Sequence, residues 1–102
     1  MSSKSPIRVF SVDDHPLLRE GIAALVNSQA DMDLVGQAAT GAEAIQLFKE
    51  QVPDVTLLDL RLPDISGIDV LIAIRTQFPE ARIIMLTTFE GCLLYTSEAA
   101  DE

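Results

Sequence analysis

The sequence is short of cysteine, of basic residues and of long apolar runs, and each shortage closes off a class of protein. Cys92 is the single cysteine in 102 residues, so no internal disulfide can form and a disulfide-stapled scaffold is excluded. Seven Lys and Arg stand against sixteen Asp and Glu, a formal charge of −9. That charge repels nucleic acid and anionic lipid, and suits a divalent cation or a basic partner. Nothing in the chain looks able to grip DNA. No apolar run approaches the roughly 18 residues of a membrane span, and no signal-peptide core is present. No membrane partner is therefore expected, and the cytoplasm is the expected compartment. Residues 7–90 carry no internal repeat, linker or low-complexity segment.

What is present is one domain's worth of chain with 48% apolar residues, enough for a core. Its centre is Val55-Thr56-Leu57-Leu58-Asp59-Leu60-Arg61-Leu62-Pro63, four mostly apolar residues running into a carboxylate and soon to a proline. This reads as a buried parallel strand ending at Asp59. In open parallel sheets the ligand crevice lies at the carboxyl ends of the strands, so an acid placed there faces solvent, metal or substrate. Asp59 is the candidate reactive group.

The rest follows by alternation. Residues 1–6 read as a loose lead-in, and Ile7 to Val12 as a strand running into Asp13-Asp14-His15-Pro16, the same form as the centre. From Pro16 to about Ser28 a helix is expected, with Leu17, Leu18, Ile22, Leu25 and Val26 as its core stripe. Asp31 to Ala38 reads as a weaker outer strand, and Thr40-Gly41 opens a helix that Pro53 stops. A helix through Ile68, Val70, Leu71, Ile74 and Phe78 follows the central strand, and Ala81 to Thr88 is the fourth strand. Strict alternation implies right-handed crossovers and a parallel sheet covered on both faces. Residues 92–102 are too short to add another helix and strand, so the sheet is expected to end on an unfinished edge.

Asp13, Asp14 and Asp59 would stand at the ends of two strands that can be neighbours. Three crowded carboxylates repel one another unless a cation sits among them, and magnesium suits an all-oxygen site. Magnesium fills its shell with water and phosphate oxygens, so the cluster points to a phosphate. A carboxylate beside it can attack phosphorus to form an acyl phosphate. Thr87, at the end of the fourth strand, could hydrogen-bond one phosphoryl oxygen. Lone strand-end acids such as Asp54 and Asp64 are read instead as turn formers or caps, and His15 as a solvated or capping residue. Cys92 is given no role.

Ser-Val-Asp-Asp-His-Pro-Leu-Leu-Arg-Glu-Gly-Ile (11–22), Leu-Leu-Asp-Leu-Arg-Leu-Pro-Asp-Ile-Ser-Gly-Ile-Asp-Val-Leu (57–71) and Ile-Ile-Met-Leu-Thr-Thr-Phe-Glu-Gly (83–91) together resemble the receiver domain of bacterial two-component response regulators. The Asp-Asp-His-Pro and Thr-Thr-Phe forms resemble the NarL/LuxR class in particular. The resemblance covers about residues 7–91. It implies a flavodoxin-like (CheY-like), doubly wound parallel sheet of order 2-1-3-4-5, here with about four strands and three helices. It further implies that Asp59 accepts a phosphoryl group from a sensor histidine kinase. Asp14, Asp59 and the backbone carbonyl of Arg61 would ligate magnesium directly, with Asp13 acting through water or a hydrogen bond. Thr87 would be the switch hydroxyl. In such proteins phosphorylation shifts dimerisation and frees a DNA-binding output domain, so homodimers and DNA are partners of the intact protein only.

The sequence departs from that pattern after the fourth strand. No Lys or Arg follows Arg82, whereas the family uses a lysine at the end of a fifth strand. The family's aromatic switch residue on that strand, its fourth and fifth helices and its output domain have no counterpart. Residues 92–102 do not resemble the family and are expected to be an adapter-derived tail on a truncated reading frame. Two other functions are compatible with an acid at a strand end. One is a phosphorylation-independent interaction module. The other is a magnesium-dependent phosphohydrolase of the haloacid-dehalogenase type, which wants a second Asp two positions after the nucleophile, where this chain has Arg61.

Overall fold

Val9 to Val12 are buried on both faces of the chain, four in succession, and this run is the middle of the fold. The computed structural model describes residues 5–87, so Cys92, the expected non-family tail and most of the lead-in lie outside the described residues. Four parallel strands, β1 (Ile7–Val12), β2 (Met32–Ala38), β3 (Val55–Asp59) and β4 (Ile83–Leu86), form one sheet in the order β2-β1-β3-β4. Three helices, α1 (Pro16–Asn27), α2 (Gly41–Gln51) and α3 (Gly67–Gln77), connect them. The alternation leads to the expected parallel sheet with helices on both faces, and its strand order is that of the CheY-like doubly wound sheet which the resemblance implies.

Because alternate strand residues face opposite sides, β1 feeds two cores. Val9 packs with Ile22 and Val26 of α1, while Phe10 and Val12 pack with Ala44 and Phe48 of α2 and Val70 and Ile74 of α3. Helix α1 therefore covers one face and α2 with α3 the other. The Phe48 and Phe78 rings meet at 5.0 Å between centroids and close the base of the α2/α3 layer.

Three expectations need correction. Leu17 and Leu25 are 83% and 67% exposed, so the core stripe of α1 is Leu18, Ile22 and Val26, spaced four apart. A single helix over one face buries only a narrow stripe, and Leu17 and Leu25 fall on its flanks. Strand β4 is shorter than Ala81 to Thr88. Ala81 is drawn into the turn after α3, its amide donating to the Phe78 carbonyl (3.0 Å). Thr87 lies one residue past the strand, and Thr88 lies outside the described residues. His15 occupies the N-cap position of α1, yet its side chain makes no capping bond.

Pro53 does end α2, through the residue before it. Val52 takes a left-handed conformation (φ 40°), and its carbonyl and that of Gln51 accept from the Arg8 guanidinium at 3.0 and 2.6 Å. Of the two acids read as turn formers or caps, Asp64 caps a helix, whereas Asp54 ties down the start of β1. Asp54 Oδ2 accepts from the Arg8 amide (2.8 Å), and the Asp64 carboxylate accepts from the Gly41 and Ala42 amides (2.8 and 3.0 Å) at the start of α2. Thr40 Oγ1 takes the Glu43 amide (3.1 Å), so the first amides of α2 are satisfied from two directions.

The Gly41 amide, then the Ala42 amide, hold Asp64 below the ordinary carboxylate range. A carboxylate whose folded value is depressed stabilises the fold above its unfolded value near 4 and loses that contribution as pH falls through the folded value. Asp64→Ala should therefore lower the urea midpoint at neutral pH, and the gap to the native chain should narrow as the buffer is acidified below about pH 4. A pH-independent gap would rule out the charge as the cause. No helix among the described residues is long and apolar enough to cross a membrane.

Candidate functional site

Register brings the acids together. Val12 pairs with Leu58 across β1 and β3, so the residues that follow them, Asp13 just past β1 and Asp59 at the end of β3, stand side by side. Asp59 in turn is opposite Leu86 of β4, which puts Thr87 one residue beyond the acid at the same end of the sheet. Thr87 is exposed there. Asp14 follows Asp13 at the rim and is partly exposed, whereas Asp13 and Asp59 are fully buried.

Each buried carboxylate is held by one oxygen. Asp59 Oδ1 accepts from the Arg61 amide at 3.0 Å, so the chain after the strand folds back on the acid. Asp13 Oδ1 accepts from the His15 amide and from His15 Nδ1, both at 2.7 Å. The second oxygens, Asp13 Oδ2 and Asp59 Oδ2, are buried with no hydrogen-bond partner. An ionised oxygen buried without a partner is costly, and the usual remedy is a cation. The donor set is oxygen-rich and doubly orphaned, so it fits a divalent metal ion.

Asp13 is locked in place by its backbone. Its amide donates to the Ala38 carbonyl of β2 (2.9 Å), and its carbonyl accepts from the Arg19 guanidinium (2.8 Å). Arg19 of α1 is thus a strut under the acidic loop.

The sequence reading missed His15. The Asp13 carboxylate forms a tight turn by taking the amide two residues on, and that turn swings the imidazole over the acids. Nδ1 lies 2.7 Å from Asp13 Oδ1, 3.3 Å from Asp14 Oδ1 and 3.6 Å from Asp59 Oδ2. The hydrogen bond to Asp13 holds the imidazole above its ordinary value, aided by the charges of Asp13, Asp14 and Asp59 and opposed by partial desolvation. Ligand atoms of Asp13, Asp14, His15 and Asp59 all lie within 4.8 Å of one another. The signal was present as a histidine directly after two strand-end acids, but a turn had to be assumed to use it.

A groove of about 470 Å³, lined in part by Phe48, Pro53, Phe78 and Arg82, lies at the amino ends of β3 and β4, away from the acids. It cannot shape a substrate around Asp59.

With this geometry the chain can be compared with known proteins. The description "response regulator receiver domain" matches residues 9–101. The transcriptional regulatory protein YxjL of Bacillus subtilis is 42% identical over 88 residues, covering 86% of this chain and 40% of that protein. The chain thus spans about 40% of the length of the curated relatives it matches. Among solved structures, a LuxR-family two-component response regulator from Aurantimonas sp. superposes with a TM-score of 0.78 at 34% identity, covering 94% of this chain and 69% of that one. CheY of Borrelia burgdorferi, in a complex with CheX, BeF3 and magnesium, gives 0.78 at 27% identity, covering 88% of this chain and 68% of its own. Fold, acidic strand ends and relatives agree: the chain belongs to the response regulator receiver domain family, among regulators of the LuxR and NarL kind.

Proposed function

We propose that this receiver domain takes a phosphoryl group onto Asp59 from the phosphohistidine of a sensor kinase, and so works as the input switch of a transcriptional regulator. The observation that carries the reading is the pair of buried, unpartnered oxygens, Asp13 Oδ2 and Asp59 Oδ2, at the carboxyl end of a parallel sheet. Asp59 Oδ1 is fixed by the Arg61 amide, which leaves Oδ2 as the nucleophile. In the transfer, Oδ2 forms a bond to phosphorus as the donor's phosphorus–nitrogen bond breaks, and the imidazole departs with that electron pair. Asp13, Asp14, Asp59 and the carbonyl of Arg61 are the groups that would hold Mg2+, and the ion neutralises charge on the phosphoryl oxygens when bound.

Thr87 stands beyond the residue opposite Asp59, within the loop that would meet the new phosphoryl oxygens, and is the proposed switch hydroxyl. The chain's own chemistry is acceptance of one phosphoryl group and its later loss by hydrolysis, in which water attacks phosphorus and inorganic phosphate leaves Asp59, rather than turnover of a substrate. Cytoplasmic residence, homodimerisation and DNA binding through an output domain belong to the proposed whole regulator, of which this chain spans the receiver portion.

Incubation with acetyl phosphate and Mg2+ should add the mass of one phosphoryl group, labile to hydroxylamine as an acyl phosphate is. Chelation with EDTA should abolish the adduct. An adduct indifferent to EDTA would overturn the reading, and absence of any adduct would favour a phosphorylation-independent interaction module.

A further inference from the structure

His15 is the chain's single histidine, and it stands within reach of every acid of the site. Its Nδ1 lies at 2.7, 3.3 and 3.6 Å from oxygens of Asp13, Asp14 and Asp59. Those separations have a geometric meaning. Two ligands each about 2.1 Å from a metal are about 3.0 Å apart at an octahedral edge and about 3.4 Å apart at a tetrahedral one. The three distances bracket both values. The 2.7 Å separation is the hydrogen bond to Asp13 Oδ1, which a bound ion would replace, and the two longer ones place Nδ1 at the spacing of ligands that share one ion.

We propose that His15 Nδ1 is a metal ligand and the specificity-determining residue of this site, giving it an affinity for imidazole-accepting first-row ions such as Zn2+ and Co2+ in addition to magnesium. The inference rests on the proposed cation site and deepens it. A second observation independent of the acids' proximity supports a bound ion: Asp13 Oδ2 and Asp59 Oδ2 are buried and unsatisfied, a deficit the single imidazole nitrogen does not repair. Magnesium takes oxygen and keeps its waters, so the imidazole adds nothing to its shell. Zinc and cobalt accept imidazole nitrogen together with carboxylate oxygen, and each gains a nitrogen ligand from His15 beside the oxygens. The ring is half-exposed, so it can rotate to aim its lone pair inward, with the proton on Nε2, at no cost in core packing. Asp13 Oδ1, released from Nδ1, still holds the His15 amide and so keeps the loop in place.

The test is a titration of the whole chain with Mg2+ and with Co2+ by calorimetry, in the native protein and in His15→Ala and His15→Asn. The ratio of Co2+ to Mg2+ affinity should fall by about tenfold or more in both variants. In the native protein, Zn2+ should move the imidazole Nδ1 resonance in 15N spectra much further than Nε2, which a purely structural histidine would not show. Circular dichroism checks that the variants fold. An unchanged ratio, or a Zn2+ shift centred on Nε2, overturns the assignment of His15 and leaves the magnesium site standing. If neither Mg2+ nor Co2+ binds the native chain, the cation site itself fails, and with it this inference.

Discussion

Asp59→Asn should reduce acetyl phosphate labelling by about a hundredfold or more, to the background of a denatured control. The side-chain oxygen of asparagine can still accept from the Arg61 amide, as Asp59 Oδ1 does at 3.0 Å, so the loop after β3 has no reason to move. What is lost is the second carboxylate oxygen, buried and unpartnered, and with it the nucleophile. The same substitution removes a charge from a group that is fully buried beside Asp13. Without metal, therefore, the variant should melt no lower than the native chain, because a buried carboxylate with one oxygen left without a hydrogen bond is a burden on the fold. The combination of lost labelling and retained stability separates a reactive residue from a structural one. Labelling of Asp59→Asn at the native level would reject Asp59 as the acceptor, and a fall in both quantities would make it a structural residue.

Much of this arrangement was legible in the sequence because parallel strands are buried on both faces. Ile7–Val12 and Val55–Asp59 read as strands rich in β-branched and apolar residues, and both strands have the predicted ends. Once the strands are parallel neighbours, acids at their ends are neighbours too, so the meeting of Asp13 with Asp59 required no side-chain knowledge. The readings that failed depend on what packs against what. Helical periodicity identified an apolar face on α1 but not its width, and only the middle row of that face, Leu18, Ile22 and Val26, finds the sheet. Strand β4 pairs with β3 alone among the described strands, and its ends answer to the turn that captures Ala81 rather than to propensity. The imidazole of His15 is placed by a turn of three residues, and the Asp64 clamp on α2 joins residues 22 and 23 apart in the chain. Neither has a period to read.

The glycine that starts α3 offers the sharpest test of how the scaffold holds the acceptor. A Cβ built on Gly67 would lie 2.3 Å from the Asp59 carbonyl oxygen and 2.8 Å from the Leu60 Cα, and these are backbone atoms that cannot rotate aside. The Gly67 amide also donates to the Leu60 carbonyl at 2.8 Å, which pins the helix to the segment directly after the acid. Gly67→Ala must therefore push the end of β3 and the start of α3 apart, at a cost of about 1–3 kcal/mol. For a domain of this size each kcal/mol corresponds to roughly 4–8 °C in the melting midpoint. The displaced peptide is the one between Asp59 and Arg61, so labelling of the folded fraction should fall as well, through loss of the 3.0 Å bond that orients the carboxylate. Gly41→Ala is the control. Its Cβ would meet Ile65 Cγ1 at 2.4 Å and Val70 Cγ2 at 2.9 Å, which are side-chain atoms rather than the backbone that follows Asp59. It should lower the midpoint while leaving the labelling rate of folded protein unchanged. If Gly67→Ala melts and labels like the native chain, the close packing of α3 on Asp59 is not what fixes the acceptor, and the turn made by Arg61 must do so alone.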